Sequence, residues 1–232
     1  MDNERALADL AQKAIKKWDL DVKSINLYLQ SENTVFKVEG TNGNTYALRI
    51  HRKGYHDLDE LNSEHAWTSC LSNAGLSVPE AVATRNGQAY ASVSFLDSDE
   101  YRYVGLVKWL EGTILNDLIL DLEEKDVSDL YESLGKVVAK FHEATIAWEV
   151  PKDFKRHSFD TEGFLGSKPF WGRFWEAENA TTSEREELTL IRNNITESLS
   201  KLPKDMNSFG MIHADMHSQN VLIQEKKLSV ID

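Results

Sequence analysis

The stretch MIHADMHSQNVLIQEKKLSVID (211–232) concentrates side chains that can handle protons and hard cations: His213, Asp215, His217, Asn220 and Asp232. HADMHSQN reads as a loop between apolar segments, followed by the extended run VLIQ, a turn at EKK and a second run, LSVID. Two strands joined by a tight turn return to their starting end, so this hairpin predicts Asp232 beside Asn220. A carboxylate and an amide oxygen on neighbouring strand ends suit Mg2+, which takes few protein ligands and completes its shell with phosphate and water. Asp215 then stands where it can accept or orient a hydroxyl proton while the metal holds a phosphate. Phosphoryl transfer requires that division of labour: a positioned nucleophile and neutralised charge, with little covalent chemistry from the protein.

The same loop admits another reading. His213, Asp215 and His217 form H-x-D-x-H, a plausible transition-metal cluster of a metallohydrolase. Such sites normally recruit further His or Asp, and His51, His56, His65, His142 and His157 show no paired spacing.

The elements that must position these residues are legible from periodicity. Leu7, Leu10, Ala11, Ala14, Ile15 and Trp18 recur at helical spacing and predict an amphipathic helix. SINLYLQ, NTVFKVEG and YALRIHR read as an antiparallel meander with Asn-Gly turn chemistry in TNGNT. DLDELNSEHAWTSCLSNAG is helical, with Gly75 placed to end it. QAYASVSFL and YVGLVKWL add two strands around the polar turn DSDE. Beyond residue 113 helices dominate. One carries the stripe Val127, Leu130, Leu134, Val137, Val138 and Phe141; another opens on a capping box from Ser183 to Glu186 and stops before Pro203.

The expected class is α+β: a sheet-rich N-terminal lobe over residues 1–107 and a helical C-terminal lobe over 108–232, joined near 106–112. A net charge of −12 over 232 residues disfavours nucleic acid or an anionic membrane as partner and favours a cationic acceptor. No stretch approaches the ~20 apolar residues of a bilayer span. The start is interrupted by charges throughout, unlike a secretion signal. The lone Cys70 forms no internal disulfide, so a cytoplasmic protein is expected.

IHADMHSQNVLI…SVID resembles the H-x-D-x-x-x-x-N loop and following metal aspartate of the protein-kinase-like superfamily, in the form of its aminoglycoside phosphotransferase and choline kinase branch. The resemblance implies ATP and Mg2+ as cofactors. It makes Asp215 the catalytic base, supported by His213, and Asn220 and Asp232 the metal ligands. YALRIHR resembles the third strand of that fold, with Arg49 where a lysine is usual; arginine keeps the charge but changes the geometry. Glu64 is the matching ion-pair partner. GLVKWLEGTIL falls at the hinge, where the Lys108 carbonyl and the Leu110 amide would meet adenine. The first hairpin lacks a glycine-rich loop, so Ser31, Glu32, Asn33 and Thr34 are expected to offer backbone amides to the phosphates. The aromatic run in 159–175 is expected to pack this irregular segment onto the helical lobe rather than line an acceptor pocket.

The implied activity is transfer of the γ-phosphoryl group to a hydroxyl of a small molecule; a nucleotide-binding module without turnover is the alternative. Because relatives continue past the metal aspartate, the resemblance implies an N-terminal portion, with nucleotide contacts largely present and acceptor binding damaged.

Overall fold

The computed structural model describes residues 4–95, 99–120, 122–205 and 208–231. It separates into two compact units, Met1–Phe154 with Met211–Asp232, and Lys155–Gly210.

The first unit is built on a five-stranded antiparallel sheet in the order β1-β2-β3-β5-β4: β1 Val22–Gln30, β2 Thr34–Gly40, β3 Thr45–Ile50, β4 Tyr90–Ser94 and β5 Tyr101–Lys108. Strand alternation sorts its residues by face. Phe36, Val38, Leu48, Ile50, Val104 and Leu106 are buried in one cluster with Leu7, Leu10, Ala11 and Ala14 of helix α1 (Glu4–Ala14). Ile15, in a 3-10 turn, and Trp18 complete it, and the Trp18 indole donates to the Val82 carbonyl. The alternate positions Val35, Ala47, Arg49 and Val107 lie on the opposite, half-buried face.

Helix α2 (Leu58–Asn73) starts at Asp57 in a capping box with Glu60, and Gly75 follows its end at φ 82°. Helix α4 spans Glu124–Ala147. Trp67 and Leu71 of α2, Phe141 of α4, Val78 and Val230 form a second cluster, so α2 is packed onto the helical part. The Trp67 indole donates to the Thr145 hydroxyl at 2.9 Å inside it. Leu115, Leu134, Val221 and Leu228 form a third cluster.

The terminal hairpin is present as β7 (Val221–Gln224) and β8 (Lys227–Val230). A two-residue strand, β6 (Thr113–Ile114), pairs with β7 and makes a three-stranded sheet that the sequence did not announce. Gly112 sits just before it at φ 143°, and a Cβ there would lie 2.9 Å from the Ile223 carbonyl oxygen. Glycine is required for that approach.

The second unit holds α5 (Thr161–Leu165) and α6 (Thr182–Ser200). One expectation is corrected: α6 is capped by Thr181 with Glu184, not by Ser183 with Glu186. The sequence TTSEREE contains two overlapping S/T-x-x-E frames. The earlier one prevails because the Arg185 guanidinium holds the Glu178 and Ala180 carbonyls ahead of the helix, with Thr181 extended at the cap. Within this unit the aromatic run packs upon itself: His157 stacks on Phe170 at 3.6 Å, Phe159 on Phe164 at 5.1 Å, and the Arg192 guanidinium covers Trp175 at 4.2 Å. No helix among the described residues is long and apolar enough to cross a membrane.

Candidate active site

Three pieces of the first unit carry the residues expected at the site. The first is the sheet face opposite α1. Register places Leu29, Val35, Arg49, Gly105 and Tyr90 in one rank across all five strands. Gly105 leaves room for the Tyr90 ring, 3.0 Å from where its Cβ would be. Arg49 and Glu64, on β3 and α2, are both half-buried, and neither is an isolated charge. Glu64 lies one helical turn from Trp67, whose bond to Thr145 and packing restrain that part of α2. Burial alone holds the neighbouring His65 below its ordinary range.

The turn between β1 and β2 is braced by the end of β3. The Arg52 amide donates to the Asn33 side chain, and its guanidinium pairs with Glu32. Ser31 donates its own amide to the Asn33 carbonyl, so that amide is engaged within the turn. Thr34 is buried and begins the pairing with Ile50.

The second piece is the end of β5. The Trp109 amide donates to the Thr45 carbonyl, which makes Tyr46 and Lys108 a non-hydrogen-bonded pair. Lys108 therefore turns its amide and carbonyl away from β3, and the amide donates to the Glu80 carbonyl. The Leu110 amide has no acceptor among the described residues. A carbonyl and an amide on the same side chain-independent stretch are the groups an adenine edge can read. The Glu80 carboxylate, by hydrogen bond and by charge, raises the Lys108 ammonium above its ordinary range. The sequence did not single out Trp109, whose ring lies 4.6 Å below the Lys37 ammonium and edge-on to Tyr28 at 4.9 Å.

The third piece is the loop before β7. Met211 and Met216 pack into the apolar clusters, and the His213 ring meets Phe141 edge-on at 6.4 Å. Ala214 adopts φ 60°, a left-handed conformation that costs a non-glycine residue roughly 1–2 kcal/mol. Asp215 follows with its carboxylate 73% exposed. A 3-10 turn, Ser218–Asn220, returns the chain to it. The Asn220 side-chain amide donates to the Asp215 carbonyl at 3.0 Å and to its carboxylate at 3.2 Å. With the nitrogen so used, the Asn220 Oδ1 is the atom with no partner among the described residues. The Ile231 amide donates to the Asn220 carbonyl, so the end of β8 lies against this residue. Asp232, the other expected metal ligand, lies outside the described residues.

His217 closes the loop. Its Nδ1 accepts from the Gln219 amide at 3.2 Å, and its Nε2 lies 3.4 Å from the Asn220 side-chain nitrogen and 3.6 Å from the Asp215 carboxylate. A metal on Nε2 would require the proton on Nδ1, which faces an N–H donor. That conflict weighs against the H-x-D-x-H metal reading, and among the described residues no group of three His, Cys, Asp or Glu could hold a metal.

A five-stranded antiparallel sheet, a helix packed onto the helical part and a loop-hairpin that pairs Asp215 with Asn220 make up an α+β, protein-kinase-like fold. The chain belongs to the phosphotransferase enzyme family (APH), which it matches over residues 28–232. It is 21% identical to amicoumacin kinase of Bacillus subtilis (strain 168) over 231 residues, 99% of this chain and 62% of that protein. It is similar to the structure of a microcompartment-associated aminopropanol kinase, with 29% identity and TM-score 0.77, over 97% of this chain and 68% of that one. An amicoumacin kinase in complex with AMP-PNP, Ca2+ and Ami shares the fold, with TM-score 0.77 at 18% identity, over 100% of this chain and 64% of that one. The chain thus spans less than two thirds of the length of the amicoumacin kinases it matches.

Proposed function

We propose that this chain binds ATP with Mg2+ and serves transfer of the γ-phosphoryl group to the hydroxyl of a small molecule. The observation that carries the reading is the grip of Asn220 on Asp215, which leaves a carboxylate exposed to an acceptor and an amide oxygen available to a cation. Asp215 orients the acceptor hydroxyl and takes its proton. His213, packed on Phe141, supports the loop, and Asn220 with Asp232 offers hard oxygens that suit Mg2+. When bound, the cation neutralises charge on the phosphates. Arg49 stays charged and can bind phosphate bidentately, with Glu64 as its ion-pair partner. The Lys108 carbonyl and Leu110 amide read adenine. Ser31, Asn33 and Thr34 lie at the phosphate end of the first hairpin, where the Asn33 amide is the better candidate because Ser31 is engaged. Residues 1–107 and 108–232 act as the two lobes meeting at that hinge.

The relatives' names, an aminopropanol kinase and amicoumacin kinases, point to an amino alcohol as one class of acceptor, and the net charge of −12 supports a cationic one. The lone Cys70 supports a cytoplasmic setting. The test is ATP binding with and without Mg2+, followed by phosphate transfer to 1-amino-2-propanol and to a panel of amino alcohols. ATP binding strengthened by Mg2+ and lost in Arg49→Ala supports the reading; absence of any ATP binding rejects it. ATP binding with neither transfer to any acceptor nor single-turnover ATP hydrolysis supports the nucleotide-binding module instead.

A further inference from the structure

Asn116 has no role in the scheme above. It stands on the short helix α3 (Leu115–Ile119), directly after β6, and its side-chain oxygen accepts a hydrogen bond from the Ser218 hydroxyl at 3.0 Å. The two residues are 102 positions apart and both are half-buried. Ser218 opens the 3-10 turn whose last residue, Asn220, holds Asp215. Turns of this kind have poor hydrogen-bond geometry and little stability of their own. The other side-chain bonds of residues 217–220 stay inside the loop: the Gln219 amide to His217, and the Asn220 nitrogen to Asp215 and to the His217 ring. Within that stretch, the Ser218 hydroxyl is the side chain that reaches a separate element.

On its other side Asn116 is continuous with the hinge. Gly112 lies against the Ile223 carbonyl, Thr113 and Ile114 pair with Ile223 and Leu222, and Leu115 is fully buried. This is a short, restrained path from the Lys108–Leu110 segment to the loop that presents Asp215 and Asn220.

We infer that Asn116 is a positioning residue: through the Ser218 hydroxyl it holds the 3-10 turn in register, keeping the Asn220 nitrogen on Asp215 and its oxygen available to a cation. The same brace couples a nucleotide at the hinge to the cation at the loop. The ligands named here rest on the phosphotransferase reading; the brace itself does not.

The full 232-residue chain, Asn116→Ala, Ser218→Ala and the double variant are compared by calorimetric titration with ATP, in EDTA and in excess Mg2+. The expected result is a loss of roughly 3–10-fold in affinity confined to the Mg2+ condition, equal in both single variants and no larger in the double. Ser218→Thr, which keeps the hydroxyl, restores it. Equal loss with and without Mg2+, additive losses, or no loss overturns the inference. Failure of the unsubstituted chain to bind ATP rejects the phosphotransferase reading instead. Amide hydrogen exchange over residues 215–221, measured without ligand, is expected to rise in both single variants; unchanged protection overturns the brace whatever the nucleotide result.

Discussion

Asn220 holds Asp215 at two points with one nitrogen, at the main-chain carbonyl and at the carboxylate. The two residues therefore act as a unit, and removing either disturbs different chemistry. Asp215→Asn keeps the loop and the cation oxygen but removes the proton acceptor. Phosphoryl transfer is expected to fall by ~10²–10⁴ with ATP affinity little changed. Asn220→Ala is expected to weaken Mg2+ dependence and transfer together. Single-turnover kinetics beside ATP titrations separate the two; an unaltered rate in Asp215→Asn would discredit the assignment of the base.

The buried pair Trp67 and Thr145 ties α2 to α4. Thr145 accepts from the indole and donates its own proton to the Phe141 carbonyl. Thr145→Val leaves the indole N–H without a partner in an apolar cluster, at a cost of about 1–3 kcal/mol. Trp67→Ala removes the ring as well, and about 3–5 kcal/mol is expected. Urea unfolding measures both, and a smaller loss for Trp67→Ala than for Thr145→Val would contradict this account.

Two backbone positions near the site predict opposite signs. Gly112→Ala places a Cβ against the Ile223 carbonyl at a positive φ, so a loss above about 1 kcal/mol is expected. Ala214→Gly relieves the left-handed strain ahead of Asp215, so the usual penalty for introducing glycine is expected to vanish or reverse, by up to about 1 kcal/mol. Melting temperatures of the two variants should move apart.

His65 gives a pH signature. Burial lowers its pKa in the folded chain from an ordinary value of 6.5. The unfolded chain then binds a proton more readily, so stability is full above pH 6.5 and drains as pH falls from there through the folded value. His65→Gln removes this contribution. The variant should lose less stability than the parent between about pH 7.5 and pH 5.5 in urea titrations; parallel losses would show that His65 is not responsible.

Much of this architecture follows from local patterning. Alternation in TVFKVEG and TYALRI sends Phe36, Val38, Leu48 and Ile50 to the core and Val35 and Arg49 to the other face, whatever lies elsewhere in the chain. Asp57 and Glu60 are three residues apart, so the start of α2 is a local matter. VLIQ and KLSV flank a two-residue turn, which makes the hairpin beside Asn220 short-range too. The order of Asp215 and Asn220 in one loop was readable for that reason.

Other features depended on distant partners. Strand β6 is two residues long, too short for any period to show; it exists because Gly112 lets the chain approach β7. An isolated glycine after a strand was the one available signal. Thr181 and Ser183 both head an S/T-x-x-E frame, and the contacts of Arg185 chose between them. The partnerships of Trp67 with Thr145 and of Asn116 with Ser218 span 78 and 102 positions. Sequence alone determined which residues could do chemistry and the elements that carry them, because propensity and alternation act over a few residues. Tertiary structure decided which side chains hold those residues in place, because such contacts form only once the chain has folded back on itself.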